Sequence, residues 1–256
     1  MRIRDFVPPI AMTVGRKLFS RSGRKQYATY GETLANCTER GYENVDIVNV
    51  VLKKTTQYRD SVFHKGEPLH LSTTSAYSLC SLLASIESRE INVIDFGGAC
   101  GAHYFLARAV LSSSCKLRWL VVETPEMAQR AQAVLSTDEL SFLSNLSDAA
   151  DSMKRIDLLH TSGTLQCVNN PCEYLSTLVS MRASHILFNR LGLTNGSHDV
   201  ITIHESWLSW NGPGAILTRR RRSSQFGQVC SPGLSRPRLK AVLQTCVLAY
   251  EVARYA

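Results

Sequence analysis

The spacing of apolar residues changes character near residue 91. Before it, they recur at helical intervals. Residues 46–54 carry Ile47, Val48, Val50, Val51 and Leu52, and residues 75–88 carry Leu79, Leu82, Leu83 and Ile86. Both stretches predict helices. Tyr30-Gly-Glu-Thr-Leu opens another, and the turn Lys65-Gly-Glu-Pro separates the first two. After residue 91, short continuous apolar runs alternate with helical stretches. Strands are predicted at 91–96, 117–123, 140–143, 156–160 and 185–189, with 200–205 and 248–254 as the last two. Helices are predicted at 103–111, at 125–135 with Pro125 in the first turn, and at 172–181.

Strands alternating with helices predict an α/β fold with a doubly wound sheet of seven strands. A helical extension over residues 1–90 would precede a sheet domain over 91–256. Sheets of this kind bind ligands beyond the carboxyl ends of their strands, where the strand order reverses. Chemistry is therefore sought just after each strand.

The first such position reads Val93-Ile-Asp-Phe-Gly-Gly-Ala-Cys-Gly-Ala-His-Tyr. Asp95 ends the strand, and Gly97, Gly98 and Gly101 follow. Glycines allow a tight turn and close approach of backbone to ligand. In a dinucleotide fold the next helix would receive a pyrophosphate. A carboxylate at 95 repels that group and suits a cationic or amino-bearing ligand, which argues against a nicotinamide cofactor. A purely structural strand-to-helix turn is the alternative. The second strand ends in Glu123, 22 residues past Gly101. An acid at about this interval commonly holds ribose hydroxyls, its two oxygens matching the diol. The alternative is a surface glutamate before the helix start Thr124-Pro125.

After the third strand, Asn145 and Ser144 are candidates for an adenine amino group, although Ser-Asn-Leu-Ser-Asp also reads as a capped loop. After the fourth, His160, Thr161, Ser162 and Gln166 could face the reacting centre, with Ser162 counted among the cofactor contacts. His160 is a candidate general base, or else a hydrogen-bonded structural residue. His204 is a second catalytic candidate, since His204 and Glu205 could supply a base and an acceptor. They precede Trp207 and Trp210, whose rings could stack on a sugar face or anchor the last strands.

Composition adds little to this picture. The formal net charge is +8. The basic residues cluster at 16–25 and 219–222, away from the motifs, so a nucleic-acid partner ranks last. Residues 9–19 are weakly amphipathic, which keeps peripheral membrane contact open. No stretch reaches about 18 apolar residues, and residues 1–9 lack the apolar core of a secretory signal. The eight cysteines form no Cys-x-x-Cys pair and none lies at zinc spacing from a histidine. We expect buried thiols, a reducing cytoplasmic setting and no metal.

Several stretches resemble a family of bacterial class I S-adenosylmethionine-dependent methyltransferases often associated with surface-polysaccharide gene neighbourhoods. They include Asp5-Phe-Val-Pro-Pro, Tyr58-Arg-Asp-Ser, residues 117–125, Ser162-Gly-Thr-Leu-Gln and residues 204–214. The most specific piece is Asp95-Phe-Gly-Gly-x-x-Gly-x-x-Tyr104. The resemblance implies a Rossmann-like methyltransferase fold and S-adenosyl-L-methionine as cofactor. It also implies a small-molecule acceptor, with a carbohydrate-linked one favoured, and adds Tyr104 to the cofactor residues. It supplies neither a defined acceptor nor an oligomeric state. The chain departs from the family at Asn189-Arg190, where Asp-Arg is expected, at Cys167, where an aromatic is expected, and over residues 218–235. An inactive cofactor-binding module of the same fold is the alternative.

Overall fold

The computed structural model describes residues 26–36, 43–62, 73–194, 199–206 and 214–222. Three helices come first: α1 (Tyr30–Ala35), α2 (Val45–Asp60) and α3 (Thr73–Ala84). The alternating part follows with β2 (Glu90–Phe96), α4 (Ala102–Val110), β3 (Lys116–Val122), α5 (Pro125–Leu135), β4 (Leu140–Leu143), α6 (Leu146–Asp151), β5 (Leu158–Ser162), α7 (Pro171–Ser180) and β6 (His185–Asn189). Strand β1 (Gln26–Tyr27) lies before the helices, and β7 (Leu193–Thr194), β8 (Val200–Ser206) and β9 (Gly214–Arg222) come last.

Local chemistry explains the helix starts. Asn44 caps α2 by accepting the Asp46 N–H at 2.8 Å. Pro125 opens α5, where its missing N–H costs nothing. Asn145 caps α6 by accepting the Ser147 N–H at 2.8 Å.

Strands β2 to β6 form one parallel sheet in the order β4-β3-β2-β5-β6. Counted from β2, this is the 3-2-1-4-5 portion of the doubly wound order, and the fold is Rossmann-like. The order reverses between β2 and β5. Successive side chains on a strand point to opposite faces, and two buried clusters result. On one face Ile91 and Val93 of β2, Leu158 of β5 and Leu187 of β6 pack with Val48 and Tyr58 of α2, Leu79 and Leu83 of α3, and Met127 and Leu135 of α5. On the other, Ile94, Phe96 and Leu159 pack with Ala149 of α6 and Leu175 and Leu178 of α7. Helices α2 and α3, from the first 90 residues, thus share a core with the sheet.

The expected count of seven strands is not reached among the described residues, where the parallel sheet has five. Residues 200–206 do form a strand, but β8 pairs antiparallel with β1 and β9 in a separate four-stranded sheet of order β1-β8-β9-β7. Arg190, directly after β6, adopts φ +54, and β8 takes its backbone partners from β1 and β9 instead of from β6. The strand predicted at 248–254 lies outside the described residues. Among the described residues, no helix is long and apolar enough to cross a membrane.

Candidate functional site

The glycine loop crosses the carboxyl end of β2. Three of its residues are left-handed: Gly97 at φ +71, Ala99 at +51 and Gly101 at +82. That region costs an ordinary residue roughly 1–2 kcal/mol, so Ala99 is held there by its surroundings. Its N–H donates to Glu123 Oε1 at 3.0 Å. Gly97 donates its N–H to the Val122 carbonyl at 2.8 Å, which ties the loop to the neighbouring strand. Gly98 has no room for a side chain, since a Cβ there would meet Asp95 Oδ2 at 2.4 Å. The loop therefore lies directly over Asp95.

Glu123 follows β3 and is half-buried. Its Oε2 accepts the Thr124 N–H at 2.9 Å while Oε1 accepts that of Ala99. Two backbone donors thus aim the carboxylate across the loop, and each oxygen keeps a further acceptor position. Burial raises the Glu123 carboxyl above its ordinary range. The two backbone donors pull the other way, and the Asp95 carboxylate adds to the rise.

Asp95 is fully buried, as is His160. His160 Nδ1 lies 2.8 Å from Asp95 Oδ1. His103, in the first turn of α4, has its Nδ1 3.5 Å from Asp95 Oδ2. That contact fails as a hydrogen bond, and both atoms are buried without a partner among the described residues. The two imidazoles meet edge to face with ring centres 4.6 Å apart. Burial drives the Asp95 carboxyl up, but the facing His160 and His103 more than offset it and leave it below its usual range. Burial lowers His160, and the pull of Asp95 does not restore it. The two directions compete, because a cationic His160 is part of what lowers Asp95. We assign an ionised carboxylate hydrogen-bonded to a neutral imidazole, since burying one charge costs less than burying two.

These directions set a pH dependence. Asp95 and His160 both bind fewer protons folded than unfolded. Stability is then full above the unfolded histidine value of about 6.5 and falls as the pH drops through it toward the unfolded carboxyl value of about 3.9. The urea midpoint is expected to rise between about pH 5 and 7, and His160→Gln should flatten that rise. An equal slope in the variant would show that His160 is not its source.

Asp95, His103 and His160 each present a ligand atom, all within 4.8 Å of one another, a set that could hold a metal ion. The 2.8 Å Asp95–His160 separation is a hydrogen-bond length. Two ligands of one tetrahedral zinc, each at about 2.0–2.1 Å, would stand roughly 3.3 Å apart. The group is best described as a hydrogen-bonded cluster.

The remaining candidates divide. Asp95, Gly97, Gly98, Gly101 and Glu123 gather at the switch point. Ser162 ends β5 beside them, its Oγ buried and unpartnered among the described residues, like Thr161 Oγ1. His160 is there too, but it is no base open to an acceptor, because both ring nitrogens have neighbours at hydrogen-bond distance, Asp95 and Asn189. Tyr104 points away from the loop, its hydroxyl donating to Glu139 Oε2 at 3.1 Å. Asn145 spends its side-chain oxygen on the α6 cap and lies exposed. Gln166 accepts the Gly192 N–H at 3.0 Å. His204 falls on β8, with its side chain outside the described residues, as are Trp207 and Trp210.

Sequence reasoning missed His103, Ser78 and Thr164. His103 was detectable, since it sits two residues past the last loop glycine and so in the helical turn nearest the strand end. Thr164 donates to the Gly97 carbonyl at 3.2 Å, a contact across 67 residues that no local pattern announces.

Strand order and loop together define a doubly wound α/β domain with a glycine loop and two acidic strand ends at its switch point. No family model matches the chain, and no curated protein matches it in sequence. Among solved structures it is similar to the N-terminal domain of EvdMO1 with SAH bound, at 14% identity over 64% of this chain and 71% of that one, with a TM-score of 0.42. Human N-acetylserotonin methyltransferase in complex with SAM is 15% identical over 88% of this chain and 61% of its own, at 0.40. LepI in complex with SAM is 15% identical over 65% and 43%, at 0.44. These overlaps are too slight to carry any property of those proteins to this chain.

Proposed function

We propose that this protein is an S-adenosylmethionine-dependent methyltransferase. The observation that carries the reading is Glu123, whose carboxylate two backbone N–H groups hold against the glycine loop at the switch point. A carboxylate held so suits a ribose diol. The buried, ionised Asp95 beneath the same loop disfavours a pyrophosphate there and favours a ligand bearing positive charge. Ser162 Oγ, buried and unpartnered among the described residues at the end of β5, offers a polar contact to such a ligand.

In this reading Glu123 holds the ribose, Gly97 to Gly101 give the close approach, and Ser162 borders the cofactor. When bound, the cofactor supplies an electrophilic methyl group. The protein's part is then chiefly to bind and orient, which is worth up to about 7–11 kcal/mol in well-aligned systems. The acceptor is an O or N of a small molecule, a carbohydrate-linked one by the family resemblance. Asp95 acts from below the loop through charge and through His160. A second reading, an inactive cofactor-binding module, is favoured by one observation: both ring nitrogens of His160 are already engaged. Consumption of cofactor with any acceptor separates the two.

Calorimetry tests the proposal. S-adenosylhomocysteine should bind and NAD should not. Glu123→Gln should weaken binding by about 1.5–3 kcal/mol, the worth of a hydrogen bond to a charged group. Unchanged affinity in a folded variant would remove Glu123 from the ribose site.

A further inference from the structure

The family resemblance leads one to expect aspartate at 189, and this chain has asparagine. Asn189 is the last residue of β6 and is buried, 3% exposed. Its Nδ2 lies 3.2 Å from His160 Nε2. Its Oδ1 accepts the Ser78 hydroxyl at 2.9 Å, from helix α3. The Ser75 carbonyl, another acceptor for that hydroxyl, is more distant at 3.2 Å. Ser78 therefore orients the amide with its oxygen toward α3 and its nitrogen toward His160.

An amide nitrogen only donates. The His160 Nε2 that faces it must accept and so carries no proton. The ring proton then sits on Nδ1, which donates to Asp95 Oδ1 at 2.8 Å. The groups facing the ring are Asp95 from β2, His103 from α4 and Asn189 from β6. Asp95 is the carboxylate among them. An aspartate at 189 would place a second carboxylate on Nε2 and favour the imidazolium.

We infer that Asn189 is a positioning residue: by donating to His160 Nε2 it fixes His160 as the uncharged Nδ1–H tautomer, so that His160 does not cancel the Asp95 charge beneath the glycine loop. Ser78 extends this control to helix α3, in the first 90 residues. That the charge serves a cationic cofactor rests on the function proposed above, whereas the tautomer does not.

The test is imidazole nitrogen NMR on the ligand-free protein at neutral pH. The wild type should show His160 protonated on Nδ1 and bare on Nε2. Asn189→Asp should convert the ring to the doubly protonated form at the same pH. A wild-type ring protonated on Nε2, alone or with Nδ1, overturns the inference, and so does a folded Asn189→Asp protein whose ring is unchanged. The wild-type measurement needs no variant, so a misfolded Asn189→Asp protein leaves the inference open to refutation. Because no ligand is added, failure of the methyltransferase reading, seen as absent S-adenosylhomocysteine binding, is a separate result.

Discussion

Asp95→Ala is expected to destabilise the protein by about 3 kcal/mol and to abolish cofactor binding. His160 Nδ1, fully buried, would lose a charged acceptor at 2.8 Å, a bond worth about 1.5–3 kcal/mol. The vacated volume adds to the cost, since Gly98 packs on the carboxylate. Relief from burying a charge offsets part of this. Asp95→Asn keeps an acceptor oxygen and should lose less stability than the alanine variant. It should still lose most cofactor affinity, because the charge is gone. Urea unfolding at neutral pH with calorimetry on each variant reads both effects. Full cofactor affinity in Asp95→Asn would show that the charge plays no part in binding.

Gly97→Val should eliminate measurable cofactor binding, a loss of about 100-fold or more, the effect of roughly 3 kcal/mol. Valine is β-branched, and φ +71 is a genuine outlier for such a residue. Its Cβ would also fall 2.0 Å from Thr164 Oγ1 and 2.5 Å from Thr164 Cβ. Thr164 belongs to the loop after β5 and donates to the Gly97 carbonyl, so the variant must push two loops of the site apart. The sheet core lies beneath, so the protein should still fold, but the left-handed strain of about 1–2 kcal/mol and the clash with Thr164 together should lower the thermal midpoint by several degrees. Retained binding would mean that the loop does not approach the ligand. Global unfolding would mean that Gly97 serves the fold first.

Much of the fold was legible because each strand is bounded by strong local signals. The run 90–96 ends in glycines, 116–122 ends before Thr-Pro, and the helix over 125–135 begins at a proline, so observed and predicted limits differ by a residue or two. Glu123 and the glycine loop were legible for the same reason, as polar punctuation after an apolar run. The second sheet was not. Residues 200–206 have the composition of a strand wherever they pair, and pairing with β1 and β9 is a choice between distant segments that no local pattern announces.

The site divides along the same line. The sequence by itself determined that Asp95, His160 and Asn189 each follow an apolar position two residues earlier, Val93, Leu158 and Leu187. Period-2 alternation then puts each polar group on the same face as its apolar predecessor. Which strands stand side by side was beyond it. Parallel pairing joins segments about 65 residues apart, and the order β3-β2-β5-β6 brings Asp95 opposite His160 in register. Tertiary packing then decided the chemistry. It laid α3 and α4 over that face, so that His103 faces the pair and Ser78 holds Asn189 beside it. It thereby made His160 a buried neutral link rather than an open base, because the protonation of an imidazole follows from its neighbours, and those neighbours are far away in the chain.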